Sequence, residues 1–292
     1  MANLQHRFGV SERRACRVTN QHRSTQRTLA PSLVEQDEVL IGWLKDFSIT
    51  HPRWGYKRAY RCAKDDGYNV NKKRIHRLWA KAGLKVPYKK RKRPNKGNGL
   101  PMGAHMPLAE NVSWAMDFQF DQTTDTKVIK LLNIIDEYSR QHLASNPDRS
   151  IGAKDVVAVL DDLLAQHGRP LFLRCDNGPE FIAKVVASWA KEVGTTLWFI
   201  DLGSPWQNGK VESFNSRLRD ELLNGQLFES LTEAQLLLDR FRDEFNNFRP
   251  HSSLGYLCPT KFLELEIKQQ RQILIKSSKN NYWSGSFYKQ AA

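Results

Sequence analysis

The order of segment types after residue 107 constrains the fold more than any other feature of the chain. Trp114 to Phe120 and Val128 to Ile135 read as strands, and Gln141 to Ser145 reads as a weaker third strand closed by a turn at Asn146 and Pro147. Val156, Val157, Val159, Leu160, Leu163 and Leu164 then mark a helix ended by Gly168. Leu171 to Cys175 is a short apolar strand, Phe181 to Val193 reads as a helix, and Thr196 to Ile200 makes a fifth strand. A further helix begins near Pro205, and a long amphipathic one spans Leu231 to Phe248, where Pro250 stops it. Three strands in succession imply an antiparallel meander, and the alternation that follows implies parallel additions flanked by helices.

That order predicts a mixed α/β sheet of the RNase H-like kind. The first third of the chain is different. From Ser32, Leu40, Trp43, Leu44 and Phe47 repeat at helical spacing up to Pro52, Gly55 to Asp66 reads as a short second helix, and Asn71 caps a third running to Ala82. In the third helix Ile75, Leu78, Trp79 and Ala82 share one face, and Lys72, Lys73, His76, Arg77 and Lys81 lie around the other. Three short helices with a basic outer face predict an all-α helix-turn-helix module, with Lys72, Lys73, Arg74 and Arg77 as candidate DNA contacts. Upstream, Ser11 caps a short helix over Glu12 to Val18, with a stop near Pro31. The expected organisation is a basic helical segment (1–31), a helix-turn-helix module (32–85), a basic linker (86–107), a catalytic core (108–262) and a tail (263–292). The run Lys89 to Arg93 makes the linker a charged tether that can follow DNA. The tail from Lys268 has weak periodicity and no assigned element.

Charge sharpens the division. Residues 1–100 carry 24 basic and 7 acidic side chains, and the remaining 192 carry 21 and 24. A module of +17 joined to one of −3 is the pattern of a phosphate-gripping unit beside one that concentrates carboxylates. Cys16, Cys62, Cys175 and Cys258 form no C-x-x-C pair, which argues against a disulfide framework or a zinc knuckle. No apolar run approaches the ~18 residues of a membrane span. The opening residues lack the apolar core of a signal peptide, so a soluble, intracellular protein is expected.

Three carboxylates stand out. Asp117 lies in the first strand, Asp176 follows the fourth, and Glu212, thirty-five residues after Asp176, sits in the next helix. Neighbouring first and fourth strands would let the two aspartates converge, with the helix bringing the glutamate over the same edge. Such a cluster repels itself unless cations neutralise it, and oxygen-only ligands suit Mg²⁺. Two ions could stabilise the attacking and leaving oxygens of a phosphoryl displacement. Asn208, Glu212, Asn215, Ser216 and Arg219 share one helical face and Val211, Phe214, Leu218 and Leu222 the other. Taken singly, each carboxylate has a plainer reading: an edge residue, a turn former, a solvated helix residue. Asp121, Asp125 and Asp136 are left with those defaults, Trp43 and Trp79 with the core, and His51, His76 and His251 with structural or DNA-facing places.

Trp114-Ala-Met-Asp-Phe118, Arg174-Cys-Asp-Asn-Gly-Pro-Glu-Phe181 and Ser204-Pro-Trp-Gln-Asn-Gly-Lys-Val-Glu-Ser-Phe214 resemble the three catalytic motifs of DDE transposases and retroviral-type integrases. Phe245-Asn-Asn-Phe-Arg-Pro-His-Ser-Ser-Leu-Gly-Tyr256, Cys258-Pro-Thr260 and His51-Pro-Arg-Trp-Gly-Tyr56 resemble the second-frame (OrfB) product of bacterial insertion sequences of the third family. The resemblance covers residues 8–262. It implies catalysis and metal ligation by Asp117, Asp176 and Glu212, with two Mg²⁺ ions or Mn²⁺ in their place. It implies a loop shaped by Asn177 and Gly178 and DNA contacts from Arg219, Asn177, Asn208 and Lys210. The implied activity is hydrolysis at a transposon end followed by joining of the freed 3′-hydroxyl to DNA. The implied partners are double-stranded DNA, further copies of the chain when ends are paired, and an upstream OrfA part supplied by frameshifting. The alternatives are a non-catalytic DNA-binding OrfB product that modulates transposition, and a nuclease that cuts without joining.

Overall fold

The computed structural model describes residues 2–27, 31–86, 107–201 and 205–283. They fall into two compact units, Met1–Pro87 and Tyr88–Ala292. The basic linker, including Lys89 to Arg93, lies outside the described residues except at its two ends.

The first unit is helical: α1 (Ala2–Phe8), α2 (Glu12–Val18), α3 (Arg23–Arg27), α4 (Pro31–Thr50), α5 (Tyr56–Asp65) and α6 (Lys72–Lys81). Pro31 opens α4 where the sequence suggested a stop, because proline at the first helical position loses no intrahelical hydrogen bond. Leu40, Leu44 and Phe47 of α4 close over Ala59, Cys62 and Ala63 of α5 and Ile75, Leu78 and Trp79 of α6, all buried. Trp79 belongs to this core as expected. Trp43 stands at its margin, stacked on Phe47 with ring centroids 5.1 Å apart and its indole N–H donating to Asp66 at 3.0 Å. Asn71 caps α6: its side-chain oxygen accepts from the Arg74 N–H at 2.8 Å.

The second unit is built on β1 (Ser113–Gln122), β2 (Val128–Asp136), β3 (His142–Asp148), β4 (Phe172–Cys175) and β5 (Thr196–Phe199), in the spatial order β3-β2-β1-β4-β5. β1, β2 and β3 pair antiparallel, and β1, β4 and β5 pair parallel. This is the mixed, RNase H-like sheet expected from the element order. β3 continues through Asn146 and Pro147 where a turn was expected; as an edge strand it tolerates a proline that offers no N–H.

Successive strand residues point to opposite faces, and here each face has its own core. Trp114, Met116, Leu132, Ile134, Leu173 and Cys175 pack under α7 (Ala153–His167) and α8 (Lys184–Val193). Ala115, Ile129, Leu131 and Ile135 pack under α9 (Gly209–Glu221) and α10 (Leu231–Asn247). α8 begins at Lys184, three residues later than the periodicity suggested. The preceding residues turn instead, with the Phe181 and Ile182 N–H groups both bonded to the Gly178 carbonyl. α11 (Pro259–Trp283) extends through the segment left without an element, whose residues 268–283 include several Lys and Gln and no Gly or Pro. Among the described residues no helix is long and apolar enough to cross a membrane.

Replacing Asn71 by Ala leaves the first N–H groups of α6 without their side-chain acceptor. Its expected cost is about 1 kcal/mol, read as a lower urea midpoint for the Trp54 and Trp79 fluorescence transition.

Candidate active site

The register of β1 on β4 builds the site. Ser113 pairs with Phe172, Trp114 with Leu173 and Ala115 with Arg174. Two residues further on, Asp117 and Asp176 leave the two strands at the same level, on the face that carries α9. Burial pushes the Asp117 carboxyl from its ordinary value near 4 up to about 6, aided by the charge of Asp176 and, more weakly, of Glu212. Two hydrogen bonds work the other way: the Phe118 N–H donates to Oδ1 and the Asn215 amide to Oδ2, both at 2.9 Å.

Asp176 is half-buried, and its Oδ1 accepts from the Gly178 N–H at 2.9 Å. A Cβ at position 178 would stand 3.0 Å from that oxygen and 3.4 Å from the Phe181 ring, tighter than most such contacts, so a side chain here would push on the Asp176 carboxylate. Asn177 is exposed and donates to the Ile200 carbonyl at 2.9 Å, tying the loop to the end of β5. Phe118 stacks on Phe181 at 4.6 Å, and Lys130 lies 3.9 Å over Phe118 while binding Glu180 at 2.5 Å and the Ile151 carbonyl at 3.0 Å. This clamp joins β1, next to Asp117, to the loop that follows Asp176. Its one sequence signal was a lysine on the apolar face of β2.

Glu212 is exposed in the first turn of α9, whose Val211, Phe214 and Leu218 are buried against the sheet. The Arg249 guanidinium grips Glu221 at the far end of α9 through two 2.6 Å bonds. Asn246 bonds both backbone polar groups of His142 at 2.8 Å. The Asn-Asn-Phe-Arg-Pro-His run thus fastens α9 and β3 to the end of α10, which makes it a buttress as well as a helix stop.

Several candidate DNA contacts are engaged within the protein. Arg219 donates to Asp121 at 3.0 Å and to the Phe120 carbonyl. Asn208 is buried. Lys210 stands 3.9 Å from the buried Glu137, which also holds Arg174 at 3.4 Å, and burial brings the Lys210 pKa down to about 8. Arg74 is turned onto Asp37 at 2.8 Å, which Arg77 also reaches at 3.1 Å while staying largely exposed. Lys72 and Lys73 face solvent. Among the other default assignments, Asp136 is a buried turn former that accepts from Tyr138, Ser139 and Asn111, and His51 stacks on Trp54 at 4.0 Å.

Among the described residues no three His, Cys, Asp or Glu side chains stand close enough to enclose a metal ion. The donor set still fits a hard divalent cation: carboxylate oxygens only, two of the three carboxylates half-buried, and same-sign repulsion that a cation relieves.

The sheet order and the acidic face define the chain as an integrase-type protein, and comparison with known families agrees. The integrase core domain matches residues 107–205 and again 193–259, and an HTH-like domain matches residues 35–92. An uncharacterized 39.2 kDa protein of insertion element IS476 from Xanthomonas euvesicatoria is 36% identical, over 87% of this chain and 72% of its own length. An uncharacterized 31.7 kDa protein of IS407 from Burkholderia multivorans is 34% identical, over 90% and 94%. The transposase for IS904 from Lactococcus lactis is 27% identical, over 77% and 93%. Among solved structures, the catalytic core of BIV integrase is 24% identical with a TM-score of 0.42, covering 55% of this chain and 99% of that one. The chain belongs to the integrase-core transposase family of bacterial insertion elements.

The raised value of Asp117 has a consequence for stability. The folded chain holds that proton more tightly than the unfolded chain, so stability is lost as pH rises from about 4 through 6, and the deficit is complete above pH 7. Asp117→Asn removes the charge at constant shape. In metal-free urea unfolding the variant is expected to exceed the wild type by about 1–3 kcal/mol near pH 8, with a gap that shrinks near pH 4.5. A gap of equal size at both pH values would contradict this assignment.

Proposed function

We propose that the chain cleaves the ends of its insertion element and joins the freed 3′-hydroxyl to DNA, with Asp117, Asp176 and Glu212 as the catalytic carboxylates. The observation that carries this reading is the register of β1 on β4, which brings the half-buried Asp117 level with Asp176; desolvation and the charges of Asp176 and Glu212 all raise its pKa. Asp117, Asp176 and Glu212 would hold Mg²⁺, or Mn²⁺ in its place, two ions per site. Bound there, the ions supply Lewis-acid stabilisation of the attacking and leaving oxygens. Asn215 and the Phe118 N–H fix both oxygens of Asp117, and the Gly178 N–H fixes one of Asp176. In each step one P–O bond forms as another breaks: water is the nucleophile in cleavage, the DNA 3′-hydroxyl in joining. The bond count is unchanged, so no high-energy cofactor is consumed.

Binding falls to the helical unit, with Lys72, Lys73 and Arg77 on phosphates. Arg74, Arg219, Lys210 and Asn208 act from within the protein, orienting the elements that carry the contacts and the carboxylates, and Asn177 steadies the Asp176 loop beside the DNA. Pairing of two ends calls for more than one copy of the chain, and an upstream OrfA part is its natural partner. The place of action is the bacterial cytoplasm, on the nucleoid.

The test uses the purified chain, labelled DNA carrying the element's ends, and Mg²⁺ or Mn²⁺. Glu212→Gln and Asp176→Asn are expected to lose nicking and joining by more than ~100-fold, since even outer partners of metal ligands are worth 10–100-fold, while duplex binding stays within about threefold. Binding that falls in step with chemistry would overturn the division of labour. Nicking without strand-transfer products would reduce the activity to a nuclease. Arg77→Ala is expected to weaken binding of all sequences and lower the salt slope by about 1, measured by fluorescence anisotropy across a salt series.

A further inference from the structure

Three polar side chains are buried side by side under α9 and α10: Asn133 at 0% exposure, His142 at 1% and Ser145 at 4%. Buried polar groups of this kind are costly unless each finds a partner, and these find one another in a single line that ends at the acidic site. The Asn215 amide donates to Asp117 Oδ2 at 2.9 Å. A carboxylate only accepts, so Asn215 must present its NH₂ group to it and turn its own Oδ1 away. That oxygen accepts from Asn133 Nδ2 at 2.8 Å, and the same nitrogen reaches Gln119 Oε1 at 3.2 Å. Asn133 therefore offers its Oδ1 on the far side, where the Ser145 hydroxyl donates at 2.5 Å. With its one proton committed, Ser145 Oγ can only accept from His142 Nε2, 2.6 Å away.

Orientation thus propagates from one end to the other: the carboxylate dictates which way each amide faces, and the last requirement is a neutral His142 protonated on Nε2. The surroundings suit that form. Phe214, Phe241 and Phe245 surround the ring, with centroids 4.5, 6.1 and 6.0 Å away. Nδ1 is buried and makes no hydrogen bond of full geometry, while the Ala144 backbone lies near enough to the ring to offset part of the effect of burial. Burial also holds the imidazole pKa down near 3. Gln119 locks the middle of the line from β1, its amide donating to the Asn215 carbonyl at 3.1 Å.

We propose that His142, Ser145 and Asn133 are positioning residues for the acidic site, holding the Asn215 amide in the orientation that donates to Asp117. Donors that all point one way polarise one another, so the line strengthens the bond at its end and fixes the direction of the Asp117 lone pairs. None of the three touches the reacting atoms. Their effect on chemistry rests on the transposase reading above; the hydrogen-bond line does not.

Two measurements test it. The first needs neither DNA nor metal: long-range ¹H–¹⁵N spectra of the histidine-labelled full chain near pH 8 are expected to show His142 protonated on Nε2, and an Nδ1–H tautomer would overturn the line. It decides the matter even where the joining assay fails for another reason. The second compares Ser145→Ala, Asn133→Leu and Ser145→Thr in the joining assay. The first two are expected to lower kcat by about 10-fold with KM for the DNA ends unchanged, the size of an outer-partner effect. Ser145→Thr keeps the hydroxyl and is expected to return to within about threefold of wild type, the residue left by its added methyl. A folded Ser145→Ala chain with wild-type kcat, or a Thr variant as slow as Ala at equal thermal stability, would overturn the role.

Discussion

The pairing of β1 between an antiparallel and a parallel neighbour is the constraint on which the rest of the second unit depends. Hydrogen bonds to β2 on one side and β4 on the other fix the register of β1 to the residue, and a slip of one would send every side chain to the opposite face. In the observed register the odd-numbered residues from Ser113 to Gln119 face α9. One strand therefore supplies core through Ala115, an acid through Asp117 and a lock for Asn215 through Gln119. The even-numbered residues fill the other core with Trp114 and Met116. Fold and site cannot be separated at this strand, because the burial that stabilises the sheet also desolvates the carboxyl.

Much of this was legible in the sequence because it rests on local pattern. Alternation and helical spacing gave the order of elements, and the expected neighbouring of the first and fourth strands, which carry the first two acidic motifs, is observed. What escaped is set by partners distant in the chain. Asn133 is a single polar residue in an apolar strand, and its meaning lies in Asn215, 82 residues on. Arg219 and Arg74 look like free cations until Asp121 and Asp37 arrive from other elements. Pro147 signals a turn locally and is admitted to β3 only because that strand lies at an edge, which is a property of the whole sheet.

The two units treat charge in opposite ways. In the helical unit Lys72, Lys73 and Arg77 keep their charge at the surface, where salt screens it. In the sheet unit Glu137 is fully buried, bonded by the Ser113 hydroxyl at 2.6 Å and flanked by Arg174 and Lys210. Removing one partner of such a set leaves an uncompensated buried charge, so these basic residues are tied to the integrity of the fold rather than to recognition. Arg174 shows the geometry: it lies over the Trp198 ring at 4.3 Å and donates to the Gln207 carbonyl at 2.6 Å, just ahead of α9. The strand that ends at Asp176 thereby also holds the turn that leads to Glu212.

Gly178 carries a consequence for how this chain ages within a genome. A Cβ there would sit 3.0 Å from the Asp176 carboxylate and 3.4 Å from the Phe181 ring, so a larger residue presses directly on the acid and asks it to shift by a few tenths of an ångström. A copy that drifted at this one codon would keep its reading frame and all three carboxylates, and would pass any survey that judges copies by their acidic residues. Its loss of geometry would be invisible to such a survey. A census of intact copies therefore has to read position 178 together with 117, 176 and 212.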